Sequence, residues 1–240
     1  MTIDVCLTPE LLPLHGPLAH TSVVVVDVLR ATSVMVTALA HGVDRIIPVA
    51  ELHECQALGL EQGCLTAAER DGRQAEGFDF GNSPFSYQEP HVRGRVLAMT
   101  TTNGTLAIRR ALAQGATRLC AGAFLNRSAV ARWVRAHGQP LLVVCAGWKG
   151  AFNLEDTLFA GALVEALAPD FTPSTDAALA ARHLWRAASA DPLAFLQESS
   201  HVRRLASVSE SLRRDVAFCL EPDHYDTVPE WEGAGLVPAG

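Results

Sequence analysis

Short apolar, β-branched runs recur through the first two-thirds of the chain, separated by stretches with helical spacing. The runs at 23–26, 45–49, 95–99, 118–121 and 141–145 read as strands. The first is four consecutive valines, the pattern of a strand buried on both faces. Gly42, Gly63, Gly115 and Gly138 close four of the intervening helical stretches, as glycine commonly does just past a helix end. This alternation predicts an α/β fold, three layers α/β/α around a largely parallel or mixed sheet. Beyond residue 161 the pattern turns helical, in STDAALAARHLWRAAS, DPLAFLQESS and VSESLRRDVAFCL. Ser174, Asp191 and Ser207 or Ser209 are the N-caps expected there. No linker or low-complexity segment interrupts the chain. The expectation is one domain, 1–240, with a β/α core over 1–161 and a helical part over 162–240 that ends in the closing tail HYDTVPEW.

Two units share one grammar. VVVVDVLRATSVMVTALAHGVDRI and VLAMTTTNGTLAIRRALAQGATRL both run strand, polar loop, helix, A-L-A-x-G, then strand. The spacing sets Thr32 opposite Thr105. An internal duplication and a shared α/β grammar both produce such likeness. If the units are related, their polar loops converge on one ligand.

Composition narrows the classes. The 240 residues carry a net charge of −7, against nucleic acid as the main partner, because a phosphate backbone asks for a basic surface. No run approaches a membrane span, and the start MTIDVCLTPELLPLHG lacks the features of a signal peptide, so a cytoplasmic location is expected. The six cysteines form no C-x-x-C pair and read as buried small hydrophobes. The apolar helix LEDTLFAGALVEAL is suited to an interface between two copies of the chain.

The chemistry gathers where predicted strands end. Asp27 follows the valine run, with Arg30, Thr32 and Ser33 just beyond it; open α/β sheets bind ligands at such strand ends. A helix cap is the plain alternative for Asp27. TTTNGT, residues 100–105, sets hydroxyls, an Asn-Gly turn and a helix N-terminus after another strand, an arrangement able to hold an anion. CAGWKGAFNLEDTLFAG carries Lys149 in a glycine loop, then Glu155 and Asp156 in a first helical turn. Acids there are ordinary dipole partners, or metal ligands when a phosphate lies beside them. Residues 67–84, AAERDGRQAEGFDFGNSP, read as a long polar loop bearing Glu69, Arg70, Glu76, Asp79 and Asn82. Several familiar chemistries are excluded. There is no G-x-x-x-x-G-K-[ST] or G-x-G-x-x-G loop, Leu29 breaks the paired-aspartate pattern of haloacid-dehalogenase-type phosphatases, and Cys64 and Arg70 match a cysteine-phosphatase spacing without its glycines. The histidines show no metal-type spacing and read as surface or core residues.

Together VVVVDVLRATS, AERDGRQAEGFDFGNSP, TTTNGT, FLNRSA, CAGWKGAFNLEDTLFAG and DTVP, in this order, resemble the 2-phosphosulfolactate phosphatase family. The resemblance implies an α/β/α fold and Mg²⁺-dependent hydrolysis of the phosphate ester of a 2-hydroxy acid, (R)-2-phospho-3-sulfolactate in the family's name. The small anionic phosphorylated substrate is then the expected partner. On that basis Asp27 is the central carboxylate, as metal ligand or nucleophile, and Glu69, Glu155 and Asp156 complete the metal environment. Thr101, Thr102, Asn103, Gly104 and Thr105 cradle the phosphoryl group with Thr32 and Ser33. Arg30, Arg70, Asn126 and Lys149 receive the substrate's other acid groups. Trp148 and Lys149 occupy a glycine loop where the family usually has smaller or more polar residues, which bears on the acid accepted. A phosphatase for another 2-phospho-hydroxy acid and a non-catalytic anion-binding protein are the competing readings.

Overall fold

The structure is a computed structural model that describes residues 1–70 and 72–240. Eleven strands among the described residues form one mixed sheet. In chain order they are β1 (Thr2–Cys6), β2 (Ser22–Val26), β3 (Arg45–Pro48), β4 (Leu65–Arg70), β5 (Arg73–Gln74), β6 (Val96–Thr100), β7 (Arg118–Gly122), β8 (Leu141–Cys145), β9 (Thr172–Pro173), β10 (Pro229–Glu232) and β11 (Gly235–Pro238). The helices are α1 (Ala31–Ala40), α2 (Leu52–Gln62), α3 (Gly104–Ala113), α4 (Arg127–His137), α5 (Leu154–Leu167), α6 (Asp176–Ala188), α7 (Pro192–Leu196), α8 (Ser200–Val208) and α9 (Glu210–Cys219). All five strands expected from apolar runs are present, within a residue or so at each end.

The valine run shows why helices cover both faces. Successive strand side chains point to opposite sides. Val24 and Val26 enter a core shared with α4, α5 and α6, whereas Val23 and Val25 enter one shared with α1 and α3. Burying four β-branched side chains across two cores contributes about 1.5–3 kcal/mol each relative to exposure. The helix LEDTLFAGALVEAL is used in the same way. As α5 it lies buried against α6 and the sheet, with Leu158, Phe159 and Leu163 fully covered, so its apolar face is not available to a second copy.

The strand order is β5-β4-β6-β3-β11-β10-β7-β2-β8-β1-β9. Its centre is a hairpin that the sequence did not announce. The tail expected merely to close the domain, 224–231, runs into β10, and β10 with the following β11 inserts between β3 and β7, pairing Leu236 with Ile46 and Glu230 with Cys120. All three contacts along this seam are antiparallel, so the strands of one half run opposite to those of the other. Around the seam the matched units take matching places: β6-β3-β11 on one side, β2-β7-β10 on the other.

Other elements depart from expectation for local reasons. The polar loop over 67–84 begins as a strand, because Leu65, Ala67 and Ala68 are buried and β4 pairs in parallel with β6 before its polar end emerges. Asp191 and Ser209 cap α7 and α9 as expected. Thr175, not Ser174, caps α6; Ser199 caps α8, and Ser207 lies within that helix. The six cysteines are buried and free. No helix among the described residues is long and apolar enough to cross a membrane.

Candidate active site

The matched loops meet at their helix N-termini. A Cβ built on Gly104 would lie 2.6 Å from the Ala31 Cβ and 2.8 Å from Asp27 Oδ2, so only glycine lets the start of α3 approach Asp27 this closely. The two threonines singled out by the likeness do the same work in each loop. Thr32 Oγ1 accepts from the Asp27 amide at 3.0 Å and donates to its carbonyl at 2.9 Å. Thr105 Oγ1 accepts from the Thr101 amide and donates to the Thr101 carbonyl, both at 3.1 Å, while Thr101 Oγ1 accepts from the Thr105 amide. Ser33 donates to the Val28 carbonyl at 2.8 Å. Thr32, Ser33, Thr101 and Thr105 therefore spend their hydroxyls bracing the loops; they shape the cradle and leave the contacts to others.

One pocket gathers much of what remains. Its sheet-side wall carries Asp27, Arg30, Glu69, Asn82, Thr102 and Asn103. Glu69, at the end of β4, accepts from the Gly72 amide at 2.5 Å and from Thr102 Oγ1 at 3.4 Å. Asn103 Oδ1 accepts from the Lys149 amide at 3.0 Å and so ties the TTTNGT loop to the glycine loop. Lys149 is exposed at that junction, with its ammonium 5.1 Å from the Trp148 ring centre.

The other wall comes from Trp148 and from α8, which contributes His201, Arg204 and Leu205. His201 Nδ1 contacts Glu155 Oε1, and Ser199 Oγ donates to the other oxygen of Glu155 at 3.4 Å. The sequence predicts surface or core histidines, whereas this one lines the pocket. Its local signal was a histidine three residues before an arginine on an amphipathic helix, a common pairing.

Several expected site residues have other employment. Glu155 is fully buried and holds His201. Asp156 accepts from the amides of Val28 at 2.8 Å and Gly147 at 3.1 Å, and from Asn153 Nδ2 at 3.0 Å. It thereby fixes the turn after Asp27 to the glycine loop. Arg70 faces away from Glu69, as neighbours on a strand do, and donates to the Glu69 carbonyl and to Thr100 Oγ1. Asn126 is fully buried, with its side chain accepting from the Ala123 amide and donating to the Thr227 carbonyl, an anchor for the tail. Arg30 lines the pocket but is also paired with buried Asp215 of α9, whose other oxygen accepts from Ser83 at 2.7 Å.

Burial dominates the electrostatics. It pushes the Asp27 carboxyl up to about 7; His201 pulls it back, and Glu69 and Glu155 add repulsion. Burial, with Asp27 and Glu155 beside it, also raises Asp156 well above the carboxylate range against its amide donors. Such groups ionise fully when a cation joins them. Asp27, Glu69 and the buried Asn82 Oδ1, which has no hydrogen-bond partner among the described residues, offer hard oxygen donors to this one pocket. No three His, Cys, Asp or Glu side chains among the described residues form a metal cage by themselves. That donor set fits Mg²⁺, which commonly takes one or two carboxylates and fills its remaining positions with water and substrate oxygens.

The sequence model of the 2-phosphosulpholactate phosphatase family matches residues 6–234. A protein of Thermotoga petrophila named probable 2-phosphosulfolactate phosphatase is 37% identical over 95% of this chain and 94% of its own. Its namesake from Gloeobacter violaceus is 37% identical over 100% and 99%, and that of Pseudothermotoga lettingae 40% over 95% and 94%.

Proposed function

Because this chain belongs to the 2-phosphosulfolactate phosphatase family, a family of phosphoric monoester hydrolases, we propose that it hydrolyses the phosphate ester of 2-phospho-3-sulfolactate with Mg²⁺ as cofactor. One observation carries the reading. The two matched loops bring Asp27 and the N-terminus of α3 together, and the end of β4 adds Glu69 to the same pocket. Bound at Asp27, Glu69 and Asn82, Mg²⁺ would neutralise charge on the phosphoryl oxygens.

The chain's own residues do the rest. Thr102 and Asn103, at the positive end of α3, orient the phosphoryl group. Arg30, held by Asp215, adds a positive charge beside it without being free to follow the substrate away. Asp27 stands at the reacting centre, fixed by Thr32 behind it and by the Asp156–Val28 hydrogen bond next to it. His201, oriented by Glu155, is placed to hand a proton to the oxygen of the departing hydroxy acid.

Phosphate release from 2-phosphosulfolactate, measured with Mg²⁺ and with EDTA, tests this reading. Release that EDTA abolishes is expected. Release unaffected by EDTA contradicts the metal, and absence of release under both conditions contradicts the activity.

A further inference from the structure

Arg204 differs from Arg30 and Arg70. Arg30 is neutralised by Asp215, and Arg70, which does not line the pocket, donates to the Glu69 carbonyl and the Thr100 hydroxyl. Arg204 is half-buried in the pocket wall, yet among the described residues no hydrogen bond or ion pair engages its guanidinium. What holds it is the Trp148 ring, 3.9 Å from the guanidinium carbon to the ring centre. Stacking of this kind fixes the plane of the group and leaves its N–H donors directed from the edge.

An arginine fixed in this way and left without a carboxylate partner among the described residues suits an anion brought by the ligand. The sheet-side residues already supply what a phosphoryl group needs, and Arg204 lines the same pocket beside the apolar Leu205. Guanidinium is weakly hydrated and its fork matches multi-oxygen anions. A sulfonate is such an anion.

We propose that Arg204, stacked on Trp148, is the specificity-determining residue that receives the sulfonate of the substrate, so that α8 selects the sulfonated ester. The proposal rests on the phosphatase reading and goes beyond it by naming the residue and the group it recognises. It also moves this task away from Arg70 and Asn126, whose side chains are engaged elsewhere. Trp148 is then the platform on which that recognition is built, which gives a purpose to a large aromatic in a glycine loop.

The test compares kcat/KM for 2-phosphosulfolactate and for 2-phospholactate, which has a methyl group in place of the sulfomethyl group. In Arg204→Met the value for the sulfonated ester is expected to fall about ten- to a hundredfold, chiefly through KM, as for loss of charge-assisted hydrogen bonds. The value for phospholactate should stay within about twofold of wild type. Trp148→Leu, which keeps the charge but removes the platform, should lose a smaller factor on the sulfonated ester alone. An unchanged thermal midpoint shows that each variant folds. Equal losses on both esters, or no loss on either, overturn the proposal while leaving the phosphatase reading intact. A wild-type protein that turns over neither ester overturns both.

Discussion

The two walls of the pocket are built on opposite terms. The sheet-side wall is acidic, and its loops are braced: Thr32, Ser33, Thr101 and Thr105 each return a hydroxyl to the backbone, and Asp156 ties the turn after Asp27 to the glycine loop. The wall from Trp148 and α8 is basic and aromatic, and its arginine rests on a ring with no carboxylate partner among the described residues. A wall held in one geometry suits the reacting phosphoryl group, whose chemistry depends on placement. A wall with unspent donors suits recognition of the part of the ligand that varies.

The largest effect should come from the centre of the braced wall. Asp27→Asn is expected to cut turnover about a thousandfold or more on any ester, read by phosphate release. The same variant should be more stable than wild type at alkaline pH. An acid whose folded pKa is raised to about 7 binds more protons when folded, so its contribution to stability declines as pH rises from the ordinary carboxylate range through that value. Thermal midpoints of the two proteins should therefore diverge between pH 5 and 8, and Mg²⁺ should narrow the gap by favouring the ionised wild type. A constant difference across that range would contradict the placement of Asp27 in a dry site.

The link between the walls comes next. Arg30 of the sheet-side wall is paired with Asp215 of α9, and both are buried. Asp215→Ala leaves a buried guanidinium without its partner, which costs about 3–5 kcal/mol. Denaturant unfolding should show it. Asp215→Asn should cost less, because the amide still accepts from Arg30.

The smallest expected effects sharpen the comparison within the braced wall. Thr32→Val and Thr105→Val each remove a hydroxyl that serves an amide and a carbonyl of the preceding strand end, at a cost of about 1–3 kcal/mol. If the matched loops are equivalent scaffolds, the two losses should be similar in denaturant melts. Thr32→Val should slow turnover more, because its partner residue is Asp27.

The same contrast explains what the sequence disclosed. The valine-rich strands and the loops after them were readable because strand, turn and helix signals lie within a few residues of one another, as in 23–33 and 96–105. The likeness of those two units pointed to Thr32 and Thr105 and to a shared ligand, although the hydroxyls turned inward rather than toward it. Of the second wall only Trp148 was legible, as a large residue in the glycine loop; α8 was not. His201 meets Glu155 across 46 residues, and Asp215 meets Arg30 across 185. No local pattern encodes such pairings. The central hairpin was hidden for a related reason: Pro229–Glu232 and Gly235–Pro238 are four residues each, with proline and glycine at their ends, and acquire strand geometry only between β3 and β7. β4 was masked by its polar end, the part that delivers Glu69.

The division of labour between the walls is tested most directly by one ratio, kcat/KM for 2-phosphosulfolactate over that for 2-phospholactate, measured in wild type, Glu69→Gln and Arg204→Met. Glu69→Gln should slow both esters alike and leave the ratio at the wild-type value, whereas Arg204→Met should bring it down about ten- to a hundredfold. A ratio that moves as far in Glu69→Gln as in Arg204→Met would show that the two walls do not divide chemistry from recognition.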